Sequence, residues 1–212
     1  MTRTLAIVVA LSIPVISAEA QTLVVGGAIH ENIQRFDGDP SLNRLDGASP
    51  GWMIVGGARL GRWVVRGEGS RDRPVRNVEM TTLTVNARPV TIRSELSHDM
   101  REVAALGGYA RDVTNRFEVT LLGGASRVTV HRAFTTDAGQ LILIPPSTVP
   151  TASVTTTFVD RFVVWTVEAD AVGRMTDRIG VIGGIRVQPI SLADGLSGRS
   201  IRTFVGVLWR LK

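Results

Sequence analysis

Apolar and polar residues alternate along most of this chain, and this period of two constrains the fold more than any other sequence feature. In one segment, Val163, Trp165 and Val167 occupy the odd positions. The even positions of the same segment hold Glu168 and Asp170. Because successive side chains of a β-strand point to opposite faces of the sheet, this pattern predicts strands with one apolar and one polar face. Helical periodicity is scarce beyond the first twenty residues, so the sequence predicts an all-β fold.

The alternation predicts eight strands and two kinds of connection. The predicted strands are 22–36, 51–59, 62–71, 101–112, 116–132, 161–173, 178–189 and 200–211. Short turns at 60–61, 113–115 and 174–177 alternate with long loops at 37–50, 72–100, 133–160 and 190–199. This order places all long loops at one end of the sheet, as in outer-membrane barrels with short periplasmic turns and longer extracellular loops. We therefore predict an eight-stranded antiparallel up-and-down transmembrane β-barrel.

Pairs of glycines recur inside the predicted strands. They lie at 26–27, 56–57, 107–108, 123–124 and 183–184. Glycine in a strand interior marks a bend, a bulge or a close approach, because it carries no side chain. Repeated around a closed sheet, such positions allow a narrow barrel to curve.

The N-terminus has the features of a secretory signal. Arg3 precedes an apolar run from 5 to 16, and Ala18-Glu19-Ala20 forms an A-x-A cleavage site. The sequence therefore predicts a cleaved signal peptide at 1–20, a single barrel domain at 21–212, and export to the bacterial outer membrane. The chain contains no cysteine, so no disulfide or thiolate enters the prediction.

The two faces of the predicted strands carry different sets of residues. The apolar face carries two aromatic girdles, with Trp52 and Trp165 near the long loops and Trp63, Tyr109, Phe117 and Trp209 near the short turns. The polar face carries a predicted lumen network of Arg59, Arg66, Glu68, Glu102, Glu118, Glu168, Asp170, Arg178, Arg186, Arg202 and Arg210. Unpaired buried charge is costly, and an eight-stranded barrel is just wide enough for side chains to fill it. The set is therefore interpreted as a structural network of ion pairs that closes the lumen, with a gated pore as the alternative.

The pattern resembles the small eight-stranded outer-membrane barrels, a family that includes the barrel domain of outer-membrane protein A and the opacity-type surface proteins. The resemblance spans about 22–212 and is carried by GWMIVGGAR at 51–59, RWVVRGEGS at 62–70 and the final TFVGVLWRL strand. It implies a monomeric envelope protein without cofactors, in contact with outer-membrane lipid and lipopolysaccharide. Loops 72–100 and 133–160 would meet extracellular partners. The chain departs from the family at its end, Leu211-Lys212, where the family has a terminal aromatic residue.

The net charge of +5 comes almost entirely from arginine, since Lys212 is the only lysine. The arginines are dispersed and the chain has an export signal, so we do not expect a nucleic-acid partner. Arg71, Arg73 and Arg76 cluster at the long-loop end of the third predicted strand. Because the planar guanidinium group binds phosphate well, the sequence predicts a contact with lipopolysaccharide there.

Two other function classes remain open at this stage. A soluble periplasmic barrel of lipocalin type would bury the apolar face and bind a hydrophobic ligand, and a small-solute channel would keep an open lumen. An enzyme is not predicted. His30, His98 and His131 belong to no catalytic motif, and the neighbours in Ser97-His98-Asp99 would point to opposite sides of a strand. No metal site and no cofactor are predicted.

Overall fold

The chain forms one antiparallel sheet of long strands. The computed structural model describes residues 21–37, 46–85, 88–138, 153–192 and 197–211. The strands are β1 (Gln21–Asp37), β2 (Gly47–Leu60), β3 (Trp63–Asp72), β4 (Val75–Val85), β5 (Arg88–Thr114), β6 (Phe117–Ala138), β7 (Ser153–Arg174), β8 (Ile179–Ser191) and β9 (Ser197–Leu211). The predicted signal peptide at 1–20, Lys212 and parts of all the predicted long loops lie outside the described residues.

Eight of these strands close into a ring. Neighbouring strands pair in the order β3-β2-β1-β9-β8-β7-β6-β5, and β3 pairs with β5 to complete the circle. At that seam, Trp63 lies opposite Tyr109 and Arg71 lies opposite Arg101. All pairs are antiparallel, so the prediction of an all-β, eight-stranded antiparallel barrel is confirmed.

The predicted loop 72–100 requires a correction, because most of it is strand. The segment contains β4 and the first part of β5, which pair with each other from Val75↔His98 to Val85↔Arg88. Strands β3 and β4 therefore follow one another along the same edge of β5. The segment VRNVEMTTLTV of β4 is rich in valine and threonine, which favour strands, but it lacks a clear alternation of apolar and polar residues. The strands β6 and β7 likewise extend into the predicted loop 133–160.

The inside of the barrel is mixed in character, whereas the sequence predicted a polar interior. One apolar cluster joins β1, β2, β7, β8 and β9 and comprises Ala28, Met53, Val55, Val172, Ile182, Phe204 and Leu208. A second lies toward the long-loop end and is formed by Phe36, Met100, Val128, Val130, Ile190 and Leu192. A third, on β3, β5 and β6, contains Val64, Ala104, Leu106, Ala110 and Leu122. Apolar clusters and charged groups thus share the interior.

Candidate functional site

The centre of the interior holds a network of buried charges, with members on β3, β5, β7, β8 and β9. Arg66 of β3 lies with Nη1 2.7 Å from Glu168 Oε1 and 2.6 Å from Asp170 Oδ2. Arg186 of β8 donates from Nε to Glu168 Oε2 at 2.8 Å and also pairs with Glu68. Because these residues alternate with outward apolar residues, the period of two directs the charged groups of this network to the inside.

The network continues through Glu102 of β5. Its Oε1 atom accepts a hydrogen bond from Arg186 Nη1 at 3.0 Å, and its Oε2 atom lies 2.8 Å from Arg202 Nη1. Ser126 and Gln188 also donate to Glu102, at 2.7 Å and 3.2 Å. Arg186 and Arg202 are each 1% exposed, so these ions are almost fully removed from solvent.

A second polar cluster lies toward the long-loop end and surrounds Asp72. His30 Nε2 lies 2.7 Å from Asp72 Oδ1, and Asn32 Nδ2 donates to Asp72 Oδ2 at 2.6 Å. Arg202 approaches the same carboxylate to 3.8 Å, which connects this cluster to the central network. His98 is buried close by, and neither of its ring nitrogens has a hydrogen-bond partner among the described residues.

A third cluster surrounds the short-turn mouth of the barrel, where a cavity of about 310 Å³ opens. Arg59 and Arg174 both pair with Asp112, at 2.7 Å and 2.6 Å. Glu118 accepts from Arg59, from Arg174 at 3.2 Å and from Arg210 at 3.3 Å. Three guanidinium groups and two carboxylates therefore gather at this mouth.

The structure brings together ten of the eleven residues of the predicted lumen network, in the central cluster and at the short-turn mouth. Arg178 is the exception, because it lies exposed in the turn between β7 and β8. Sequence reasoning also missed several residues of the polar cluster around Asp72. Two of them, His30 and Asn32, alternate with outward-facing Ile29 and Ile33, and this pattern already indicated that they face the inside. Asp72 was missed because it was assigned to a loop.

The predicted girdle residues all lie on the outer surface. The exposed fractions are 52% for Trp52, 59% for Trp165, 66% for Trp63, 40% for Tyr109, 41% for Phe117 and 48% for Trp209. Trp63 and Tyr109 pack edge to face, with ring centroids 6.0 Å apart. Between the two levels, the outer surface presents exposed aliphatic residues such as Leu121, Val167 and Val207.

The three arginines predicted to contact lipopolysaccharide occupy different elements. Arg71 lies on the outer face near the end of β3, Arg73 follows β3, and Arg76 lies on β4; all three are exposed. The Arg76 side chain lies 4.0 Å from Glu95, whereas Arg71 lies directly opposite Arg101. The register therefore groups Arg71 with residues of the barrel wall rather than with Arg76.

The described residues contain no helix long and apolar enough to cross a bilayer. No group of three or more histidine and carboxylate side chains among them is arranged to hold a metal ion.

Comparison with solved structures finds small outer-membrane proteins. The attachment invasion locus protein Ail of Yersinia pestis shares 9% sequence identity at a TM-score of 0.49, over 90% of this chain and 97% of Ail. Neisserial surface protein A shares 13% identity at a TM-score of 0.49, over 91% of this chain and all of that protein. The outer membrane protein OprG from Pseudomonas aeruginosa shares 8% identity at a TM-score of 0.45, over 91% of this chain and 96% of OprG. No protein-family model and no curated protein matches the sequence significantly.

Proposed function

We propose that this chain is an outer-membrane β-barrel with a structural and surface-interaction role. The observation that carries the proposal is the polarity of the wall. Bulky apolar side chains, including Ile29 at 68% and Val163 at 71%, are exposed on the outside. Charged groups such as Glu168 and Arg186 are buried on the inside. A soluble barrel would bury its tryptophans and expose its charged side chains to water. A barrel surrounded by lipid places its apolar side chains against the lipid and its charged side chains inside.

The orientation follows from the connections. The short turns at 61–62, 115–116 and 175–178 lie at one end, which would face the periplasm, as in other outer-membrane barrels. Residues 1–20 would be the cleaved export signal.

The interior supports a closed barrel rather than a channel. The ion pairs of Arg66, Arg186 and Arg202 cross the lumen between facing strands, and apolar clusters fill the space beside them. Eight-stranded barrels are just wide enough for such side chains. Liposomes that contain the protein should therefore show no more swelling in small sugars than liposomes that contain lipid alone.

Surface interaction would occur on the strands that continue beyond the ring. Strand β4 and the adjoining ends of β5, β6 and β7 form a sheet that presents exposed Val78, Met80 and Phe158. Exposed apolar side chains of this kind can contact another molecule. The proposal therefore assigns partner binding to segments 72–100 and 133–160, in a barrel that is otherwise monomeric.

The test is the electrophoretic mobility of detergent-refolded residues 21–212, with and without boiling in dodecyl sulfate. A closed membrane barrel should migrate as a compact form when unboiled and shift on heating. The matched sample is the same protein unfolded in urea, which should migrate at one position in both cases. A chain that stays soluble without detergent and shows no shift would overturn the proposal in favour of a soluble ligand-binding barrel.

A further inference from the structure

Three outward-facing arginines lie on consecutive strands of the barrel wall, near its long-loop end. Arg71 of β3 is directly opposite Arg101 of β5. On β6, Arg127 lies opposite Val103, so it is the diagonal neighbour of Arg101. Direct cross-strand neighbours have Cβ atoms about 4.5–5.5 Å apart, and diagonal neighbours about 7–8 Å apart. We call Arg71, Arg101 and Arg127 the arginine triad.

The triad carries more positive charge than its surroundings neutralise. Like charges directly opposite one another destabilise a sheet. Asp99 approaches Arg101 to 3.7 Å, beyond hydrogen-bond distance. Within the described ranges, no carboxylate forms an ion pair with Arg71 or Arg127. All three side chains are exposed, so their hydrogen-bond donors are available to a ligand.

The residues that adjoin the triad indicate what kind of ligand it binds. Arg71 is the cross-strand neighbour of Trp52, an exposed aromatic residue of the upper girdle. Arg127 is the cross-strand neighbour of Val103, which is 67% exposed on the apolar outer face. The triad therefore borders the apolar surface directly, which is the level of lipid head groups in a spanning barrel.

We propose that the arginine triad binds the phosphate groups of lipid A in the outer leaflet. This inference rests on the proposed outer-membrane location. Guanidinium groups bind phosphate through paired, charge-assisted hydrogen bonds, and the adjoining apolar wall contacts the acyl chains of the same molecule. A soluble polyanion would meet only the charged half of this surface. The strand register groups Arg71 with Arg101 and Arg127, whereas the sequence predicted a group of Arg71, Arg73 and Arg76.

The test compares two triple variants of the refolded barrel. The first is Arg71→Gln/Arg101→Gln/Arg127→Gln. The second is Arg62→Gln/Arg111→Gln/Arg116→Gln, which removes three exposed arginines at the opposite end of the wall and so changes the net charge equally. Lipid A and dephosphorylated lipid A are titrated into each protein in detergent, and the bound fraction is measured by native mass spectrometry.

The expected result is a loss of lipid A affinity of about tenfold or more in the first variant, because charge-assisted hydrogen bonds to phosphate are roughly twice as strong as neutral ones. The second variant should bind lipid A like the wild type, and dephosphorylated lipid A should bind all three proteins equally weakly. Equal affinities of the two triple variants for lipid A would overturn the inference. Displacement of lipid A by inorganic phosphate or by heparin at the same triad would also overturn it, in favour of a soluble anion.

The heat-induced mobility shift is measured for every variant. If the variant of the arginine triad shows the mobility shift but binds lipid A as tightly as the wild type, only the lipid A site is contradicted. Absence of the shift in the wild-type protein contradicts the outer-membrane barrel itself. The two failures are therefore distinguishable.

Discussion

At the scale of single residues, the barrel contains ions that are almost fully removed from water. Arg186 is 1% exposed and pairs with Glu68, Glu102 and Glu168. A buried pair of this kind contributes little net stability relative to apolar packing, but removal of one partner leaves an uncompensated charge. We therefore expect the network to specify which strands face each other more than it strengthens the fold.

Substitution of Arg186 should test this view of the network. We expect Arg186→Leu to lower the free energy of unfolding by about 3–5 kcal/mol, because three carboxylates lose their shared counter-ion. The measurement is urea unfolding of the protein in lipid vesicles, followed by tryptophan fluorescence. Arg178→Leu, in the exposed turn, is the control and should change stability by less than about 0.5 kcal/mol. A second change, Glu168→Gln, should recover part of the loss in the Arg186→Leu background; simple additivity would contradict the assignment of a coupled pair.

His98 should make the stability of the barrel depend on pH. Burial lowers the pKa of His98, with Arg132 adding to that effect, while Asp72 and Asp99 oppose it. The unfolded chain therefore takes up the proton first, so the contribution of His98 to stability is complete above about pH 6.5 and is lost as the pH falls below it. We expect wild-type protein to lose more stability than His98→Gln over this range, measured by urea unfolding at a series of pH values. Parallel curves for the two proteins would show that His98 does not titrate in this way.

At the scale of strands, each glycine pair contains one position that packing reserves for glycine. A Cβ atom added at Gly108 would overlap the Leu121 carbonyl oxygen of β6. At Gly107 the nearest atom to such a Cβ is the Val64 carbonyl oxygen, 3.9 Å away. One glycine of the pair thus permits a close approach of neighbouring backbones, while the other leaves room for a methyl group.

Alanine substitutions at these two neighbours should therefore have different effects. We expect Gly108→Ala to destabilise the barrel by about 1–3 kcal/mol, because the added methyl group forces β5 and β6 apart. Gly107→Ala serves as the matched control and should be close to neutral. The loss is read from the temperature at which unboiled protein changes its mobility in dodecyl sulfate. Similar temperatures for both variants would contradict the packing explanation.

The strands also show how far the sequence alone could predict this structure. Alternation located all eight strands of the ring, because outward-facing and inward-facing residues of a closed sheet lie in different surroundings and alternate at every second position. It failed for β4, where Asn77, Glu79, Thr81 and Thr82 leave no clear contrast between the two faces. A strand that lies beyond the ring has no buried face to impose that contrast, so its sequence carries a weaker signal.

At the scale of the whole molecule, the pairing of charges depended on information that alternation does not contain. The alternation showed that Arg66 and Glu168 face the inside. It did not show that their strands, β3 and β7, lie opposite each other across the lumen, because the two residues are 102 positions apart in sequence. The arginine triad has the same origin. Its members are distant in the chain, and only the β3–β5 seam places Arg71 beside Arg101. Closure of the ring, rather than any local motif, creates both sites.

The outward position of all four tryptophans gives a prediction about the molecule as a whole. In a bilayer whose lipid chains carry bromine, the fluorescence of Trp52, Trp63, Trp165 and Trp209 should be strongly quenched, because each side chain is about half exposed or more on the outer wall. Acrylamide in the aqueous phase should quench the same protein weakly. Urea-unfolded protein without lipid is the control and should show the opposite preference. Strong quenching by acrylamide with little effect of bromine would place the tryptophan-bearing surface in water, and the assignment of inside and outside would then have to be reversed.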